Sequence, residues 1–332
     1  MRVNIVNVTN ASDDEWDEIW RYSEVGTYYH SREWTEIWQL YSNNRVKSLP
    51  KLILFSDGKK VVLPIMLQNY YCGFIKRFGI TGPPSEVKVK YGNWLTSDKL
   101  ANDHIKLLLN YLTDNYRNLV WRLNPFDEDS KKINVHSKYI RRKPFFVYMI
   151  DLTRGEDYIF ANMKQSCRNK IKQGIKNNLI VKEGVELQDW VHYYSIYQDT
   201  INRWGGKTLY MFGWEFFELL YKKCSNYIKL WTTLYDNKPI SGCIGFYSQK
   251  KIIMFQSSSL SEYRHLRPAN FEKYFLIKDG IEKGYKWLDL GTAGSNRGLA
   301  NFKKSFGAEE IMCDMFISWH PIIFNVKKLL NS

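Results

Sequence analysis

Three strand-like runs follow one another closely in this chain, at residues 227–235, 240–247 and 251–257, joined only by Asp236-Asn237-Lys238-Pro239 and Ser248-Gln249-Lys250. Connections this short join only antiparallel neighbours, so the three runs must form a meander. After it come a helical segment at 268–283, a buried strand at 287–290, a short helix near 299–306 and a last strand at 311–318. Before it lie a strand at 145–152, a helix over about 157–178, a second helix over 189–204 and the aromatic segment 214–221. The order is strand, helices, antiparallel meander, helix, strand, helix, strand.

The first half reads as a cruder version of the same mixture. It opens with an alternating strand at 3–8 and a helix entered through Ser12-Asp13-Asp14-Glu15, where Ser12 can cap and the acidic residues suit the positive helix end. Trp16, Ile19 and Trp20 share one face of that helix, and Trp34, Ile37, Trp38 and Tyr41 recur at helical spacing after Ser31. Such aromatic stripes read as core. A hairpin is predicted from residues 49–55 and 61–67 around Ser56-Asp57-Gly58-Lys59, a break at Thr81-Gly82-Pro83-Pro84, an amphipathic helix over 98–116 and a strand at 119–123. At 332 residues the chain exceeds what a single core usually serves. The class is α/β with mixed sheets, divided into domains at 1–148 and 149–332, and no internal repeat is strong enough to prove a duplication.

Aromatic residues make up 16% of the chain, which is ample for packed cores. The net charge of +14 favours acidic partners such as phosphates, nucleic acid or an anionic membrane surface, although the excess is spread over both halves. Cys72, Cys167, Cys224, Cys243 and Cys313 are scattered, with no close pair to hold zinc and no even disulfide framework. The six histidines show no metal spacing, and neither a G-x-S-x-G nor a Walker lysine loop is present. No metal and no bound cofactor are expected. The first residues are too interrupted for a signal peptide and no apolar run approaches a membrane span, so the expected location is cytoplasmic, with peripheral association at the inner face of the membrane left open.

Two stretches carry chemistry. In Gly284-Tyr285-Lys286-Trp287-Leu288-Asp289-Leu290-Gly291, followed by Gly298-Leu299-Ala300-Asn301-Phe302-Lys303-Lys304-Ser305-Phe306-Gly307, a buried strand enters a glycine-bearing loop and then a helix with paired lysines. That is how backbone is brought close to a reacting or anionic group. Asp289, at the strand end, is a candidate to orient a lysine or accept a proton, or else a loop anchor. In the helix over 157–178, Met163, Cys167, Ile171 and Ile175 recur every four residues, and so do Lys164, Arg168, Lys172 and Lys176. No acidic residue lies between Asp157 and Glu183. A cation row without i,i+4 acidic partners repels itself, and an anionic ligand is its natural complement. Trp204, with Gly205, Gly206, Lys207 and Tyr210, is a candidate lining of an acceptor groove, with core packing as the alternative.

The element order resembles the GNAT acyltransferase fold. Phe146-Val147-Tyr148-Met149-Ile150-Asp151-Leu152, followed by Met163-Lys164-Gln165-Ser166-Cys167-Arg168-Asn169-Lys170-Ile171-Lys172-Gln173-Gly174, resembles the segment that opens the second domain of FemAB-type peptidyltransferases, relatives of methicillin-resistance factors. The late strand, with its Phe-Lys-x-x-Phe-Gly helix, resembles the same family over residues 145–315. The resemblance implies two GNAT-like domains and the addition of amino acids to cell-wall precursor peptides. It places Lys303 near the acyl transfer point, with Lys304 beside it. Between meander and helix, Tyr263-Arg264-His265-Leu266-Arg267-Pro268-Ala269-Asn270 sits where GNAT enzymes hold a coenzyme A pyrophosphate loop, but Arg267 replaces the glycine that lets backbone amides approach the ligand.

The expected function is transfer of an aminoacyl or acyl group to an amine of a cell-envelope precursor, lipid- or nucleotide-linked and glycan or peptide in nature. The donor would be aminoacyl-tRNA or acyl-CoA; Lys164, Arg168, Lys172, Trp204, Arg264, Arg267 and Lys304 are the candidates to bind donor or acceptor, and Lys303 and Asp289 those to carry the reaction. DNA is not an expected partner. A coenzyme A-dependent N-acetyltransferase acting on an amino sugar or small metabolite, a non-catalytic RNA-binding module and a structural partner of an envelope enzyme stay open as alternatives.

Overall fold

The computed structural model describes residues 3–72, 75–82, 93–116, 119–127, 140–205, 211–223 and 226–318. The chain divides into two compact units, Met1–Phe145 with Met312–Ser332, and Phe146–Ile311. The sequence partition left everything after residue 148 in the second domain. Instead, residues 315–318 belong with the first unit, where Met315 pairs with Arg122 and Ser318 with Leu119.

In chain order, the first unit contains β1 (Ile5–Asn10), α1 (Asp13–Tyr22), α2 (Arg32–Tyr41), β2 (Val46–Ser48), β3 (Lys51–Phe55), β4 (Lys60–Leu63), β5 (Met66–Cys72), β6 (Ile75–Gly82), α3 (Asn102–Asn115) and β7 (Leu119–Arg122). Helix α1 begins where its sequence says it should. Ser12 and Glu15 form a reciprocal capping box, with Glu15 N to Ser12 Oγ at 3.3 Å and Ser12 N to Glu15 Oε2 at 2.9 Å. Trp16 and Trp20 turn inward from α1, and Trp34 and Trp38 from α2. The run at 61–67 is not one strand, because Pro64 cannot donate to a ladder. The part before it, β4, pairs with β3, and the part after it, β5, pairs with β2 and β6. Pro83 and Pro84 of the expected break lie outside the described residues, as do His136, His320 and Cys224.

The second unit runs from the later part of β8 (Ile140–Asp151) through α4 (Glu156–Asn162), α5 (Gln165–Lys176), β9 (Ile180–Glu183), α6 (Leu187–Arg203), α7 (Trp214–Lys222), β10 (Ile228–Tyr235), β11 (Lys238–Ser248), β12 (Lys251–Ser259), α8 (Pro268–Glu282), β13 (Trp287–Thr292) and α9 (Arg297–Lys304) into β14 (Glu309–Ser318). Its strands lie in the order β8-β13-β12-β11-β10-β9. Both meander turns are two-residue hairpins with positive φ at each central residue, Asp236-Asn237 and Gln249-Lys250. β12 and β13 run parallel, and α8 supplies the crossover that parallel neighbours need.

A bulge interrupts the β11–β12 ladder. Gly245 pairs with Met254 but Ile244 pairs with Gln256, so Phe255 is the additional residue. Beyond it the two faces of β12 serve different helices: Ser257 bonds to Glu272 of α8, whereas Ser258 meets Tyr193 of α6. Gly242 makes room for that tyrosine, since a Cβ there would stand 2.9 Å from its ring. The core between sheet and α8 includes Ile150, Ile171, Ile252, Leu276, Leu288 and Phe306.

Three local expectations differ from the structure. The helix over 157–178 is two helices, because the Lys164 amide bonds to Ser305 O at 2.9 Å and leaves the helical ladder at Met163. Strand β9, paired with β10, carries no sequence signal stronger than that of a loop. Met163, at the end of α4, and Cys167 and Ile171 on α5 are buried as expected, but Ile175 is 53% exposed and Gly174 takes the inward place. A Cβ on Gly174 would stand 2.8 Å from Cβ of Phe271, so the bare backbone of α5 packs on that side chain of α8. Gly174→Val is therefore expected to destabilise the protein by about 1–3 kcal/mol. A urea midpoint equal to wild type would show that the two helices separate without cost.

Candidate active site

The parallel pair β12 and β13 stays together for three residue pairs and then parts. The register runs Lys251 to Trp287, Ile252 to Leu288 and Ile253 to Asp289, with no further pairs although both strands continue. Asp289 is fully buried at the point of parting, and its Oδ1 accepts the Gly291 amide at 2.6 Å, shaping the turn through Gly291 (φ 77). Asn296 then caps α9 by accepting the Leu299 amide at 2.9 Å. That helix delivers Lys303 back to the strand end, where it is only 5% exposed. Its Nζ donates to Leu290 O and, at 2.7 Å, to Thr292 O, and lies 5.8 Å from the centre of the Tyr148 ring. Lys303 and Asp289 are thus brought to one place, the open end of β13.

Lys304 faces a different partner. Its Nζ lies 2.8 Å from Glu310 Oε2, and Tyr148 Oη donates to the same carboxylate. Lys304, then Tyr148, hold the Glu310 carboxyl below its ordinary value. Burial, then Glu310, push the Tyr148 phenol up to about 12.

At the other strand, β12 leaves the sheet through a tight turn, Arg264–Leu266, into α8. Arg267 sits in the left-handed region (φ 64, ψ 38), so the arginine holds the backbone shape a glycine would take at no steric cost. Gln173 of α5 clasps this loop, its Nε2 to His265 O at 3.3 Å and Arg267 Nε to its Oε1 at 3.4 Å. Sequence reading missed Arg203, which donates to Ser259 O at 3.1 Å and to Ser261 Oγ at 2.8 Å. Burial, then the nearby Arg264, lower its pKa, so two positive charges lie near the end of β12.

The cation row on α5 separates into two kinds. Arg168 donates to Ala161 O at 2.8 Å, to Met163 O and to Gln165 Oε1, closing the α4–α5 junction. Lys164 and Lys172 are exposed. Trp204, 49% exposed, ends α6 on the face of the meander opposite α8 and is not brought beside Lys303. Gly206, Lys207 and Tyr210 of the same candidate groove lie outside the described residues.

A second group missed from sequence is fully interior. Glu272, with no exposed surface, and Lys273, 3% exposed, lie on α8 against Ser241 and Ser257. Their signal was two adjacent charges inside an otherwise apolar run, Tyr274-Phe275-Leu276-Ile277 following directly. Among the described residues, no cluster of three or more His, Cys, Asp or Glu is placed to hold a metal ion, and no helix is long and apolar enough to cross a membrane.

The Glu310 contacts give a pH signature. A carboxyl with a depressed folded pKa contributes fully above its unfolded pKa and loses that contribution as pH falls through its folded one. Glu310→Gln is therefore expected to flatten the fall in thermal midpoint below about pH 4. Parallel wild-type and variant curves across that range would show that Glu310 bears no share of acid stability.

Residues 162–304 match the acetyltransferase (GNAT) domain family. No curated protein matches the chain. Among solved structures, FemX aligns with a TM-score of 0.70 at 12% identity, covering 93% of this chain and 97% of that one. The C-terminal domain of a putative lysylphosphatidylglycerol synthetase from Agrobacterium fabrum aligns at 0.53 and 12% identity, covering 78% and 84% respectively. A conserved protein of unknown function from Bacteroides thetaiotaomicron aligns at 0.56 and 9% identity, covering 96% and 100%. The chain therefore has the α/β fold of FemX, and its residues 162–304 match the acetyltransferase (GNAT) domain, which supports an acyltransferase.

Proposed function

We propose that this protein transfers an aminoacyl group from an activated ester to an amine of a lipid- or nucleotide-linked cell-envelope precursor. One observation carries the reading. The parted end of β12 and β13, with buried Lys303 on one side and the arginine-bearing entry to α8 on the other, lies inside the acyltransferase domain. Support comes also from the FemX fold over nearly the whole chain, and from a neighbour whose name describes a lysyl group joined to a lipid headgroup.

The chemistry asks for alignment and charge rather than metal. The acceptor amine attacks the acyl carbon, negative charge gathers on the acyl oxygen, and the ester oxygen leaves with the bonding electrons. Lys303 supplies a positive charge in a water-poor place, where it is worth more than at the surface. Asp289 holds the turn that positions α9. Arg264 and Arg267, with Arg203, suit a phosphate-bearing donor, and exposed Lys164 and Lys172 suit its longer anionic extension. The proposed donor is aminoacyl-tRNA, because Arg267 stands where the approach of pyrophosphate to backbone amides needs glycine. Work at the inner face of the membrane accords with the +14 net charge. The second reading, an acyl-CoA donor, is favoured by the acetyltransferase family match.

The deciding experiment incubates the purified protein with charged tRNA or acyl-CoA and a panel of lipid-linked and nucleotide-linked glycan precursors, and reads mass shifts. Transfer from tRNA supports the first reading, transfer from acyl-CoA the second, and no transfer from either by folded protein overturns both. Lys303→Met is expected to lower kcat by about 10²–10³-fold. An unchanged kcat would remove Lys303 from the transfer point. Lys164→Glu with Lys172→Glu is expected to raise KM for the anionic donor several-fold at low salt and less at high salt. A KM independent of both variant and salt would take α5 out of donor binding.

A further inference from the structure

We propose that Ser257 and Glu272 form the proton relay of the acyl transfer, with Ser257 receiving the proton of the attacking amine and Glu272 storing it. The proposal rests on the acyl-transfer reading above. Its starting point is a carboxylate that packing does not account for. Glu272 has no exposed surface, yet it faces the sheet rather than water. Replacing such buried ionic groups with apolar ones is often neutral or stabilising, so their presence calls for another reason.

The hydrogen bonds around it have a direction. Ser241 Oγ donates to Glu272 Oε2 at 3.1 Å and Ser257 Oγ to Oε1 at 3.0 Å. Lys273 Nζ lies 3.0 Å from the same Ser257 Oγ and 3.5 Å from Glu272 Oε1. An ammonium only donates, so Ser257 accepts from Lys273 and turns its own proton to the carboxylate. One lone pair of Ser257 is then left over.

Position supplies the rest. Ser257 lies on β12 past Ile253, the last residue paired with β13, and is only partly buried, whereas Glu272 and Lys273 are interior. It is the atom through which the interior pair reaches the parted end of the sheet. Lys273 Nζ also lies 5.7 Å from the centre of the Phe302 ring, next to Lys303 on α9. The relay and the proposed transfer lysine thus border the same parting of β12 and β13.

The step balances. As the amine nitrogen forms its bond to the acyl carbon, its proton passes to Ser257 Oγ and the serine proton passes to Glu272 Oε1. When the bond from carbon to the donor oxygen breaks, the electron pair stays on that oxygen, and the proton returns through Ser257 to neutralise it. Serine and glutamate end as they began. The other titratable groups facing Glu272 are Cys243 on β11 and Tyr193 on α6, and burial pushes both well above their ordinary values, so they stay neutral. Lys273 is the one cation beside it among the described residues.

The test compares Ser257→Ala, Ser257→Thr and Glu272→Gln with wild type in the transfer assay, each checked for an unchanged thermal midpoint. Ser257→Ala is expected to lower kcat about 10²–10⁴-fold with acceptor KM little changed, and Ser257→Thr to restore most of it. Glu272→Gln is expected to lower kcat with acceptor KM little changed. Wild-type transfer with an undiminished Ser257→Ala variant overturns the relay and leaves the acyl-transfer reading standing, while the absence of wild-type transfer overturns both. Recovery of an acyl group on Ser257 also overturns it, by making the serine a nucleophile. A readout without turnover uses Ser257→Cys and iodoacetamide. Rapid alkylation of the peptide carrying residue 257, slowed by adding Glu272→Gln, is expected, and failure to alkylate it in folded protein overturns the claim that this position is reached from outside.

Discussion

The ammonium of Lys303 on the carbonyls of Leu290 and Thr292 is the contact on which the second unit's working end depends. A parallel sheet that opens strands polar backbone, and a buried carbonyl without a partner costs on the order of 1–3 kcal/mol. Past Asp289, β13 has lost β12, and a side chain from elsewhere must take over. Only a long donor arriving from the side can do so. That requirement explains the turn through Gly291 and Gly294, both at positive φ, the cap at Asn296 and the burial of Phe306, which together bring α9 across the strand end. The opening and the cation that permits it are one device.

Much of this was legible because it is local. The cap at Ser12, the positions of the two meander turns and the start of α8 at Pro268 are all decided within four or five residues, and each stands where the sequence placed it, the turns tightening to two residues each. What could not be read was decided at a distance. The helix at 157–178 ends early because Ser305, far along the chain, offers the Lys164 amide a better acceptor. Ile175 yields its place to Gly174 because Phe271 comes too close for a side chain. Glu272 and Lys273 look like ordinary helix charges until the serines of β11 and β12 are seen opposite them. Lys303 was singled out by resemblance, but its burial against two carbonyls follows from where β12 and β13 part.

The net charge of +14 conceals a division of labour among cations. Lys303 and Lys273 are interior and fixed by oxygen acceptors, and Arg168 is spent on three acceptors at a helix junction. Arg203 and Arg264 are held near each other, with Asp199 the carboxylate that bonds Arg203, at 3.1 Å. Like charges near one another repel, and an anion arriving between them would offset that repulsion. In the proposed reaction this repulsion would prepare the entry to α8 for an anionic donor, with the exposed lysines of α5 acting at longer range.

The bulge at Phe255 decides which of two neighbouring serines reaches the interior carboxylate. On the hairpin side of it, β11 and β12 are in step, and every residue of one faces the same way as its partner. One additional residue shifts the phase, and everything beyond, through Ser257 and Ser258, is displaced by half a pleat period. Were Phe255 instead paired with Ile244 in an unbroken ladder, Ser258 would fall opposite Ser241 and turn toward Glu272, while Ser257 would fall opposite Gly242 and turn toward Tyr193 and α6. The sheet would still close and its core would still be apolar, but the hydroxyl would lie on the wrong side. The bulge thus assigns the two serines to opposite faces of the sheet by backbone geometry alone, without any change of side chain.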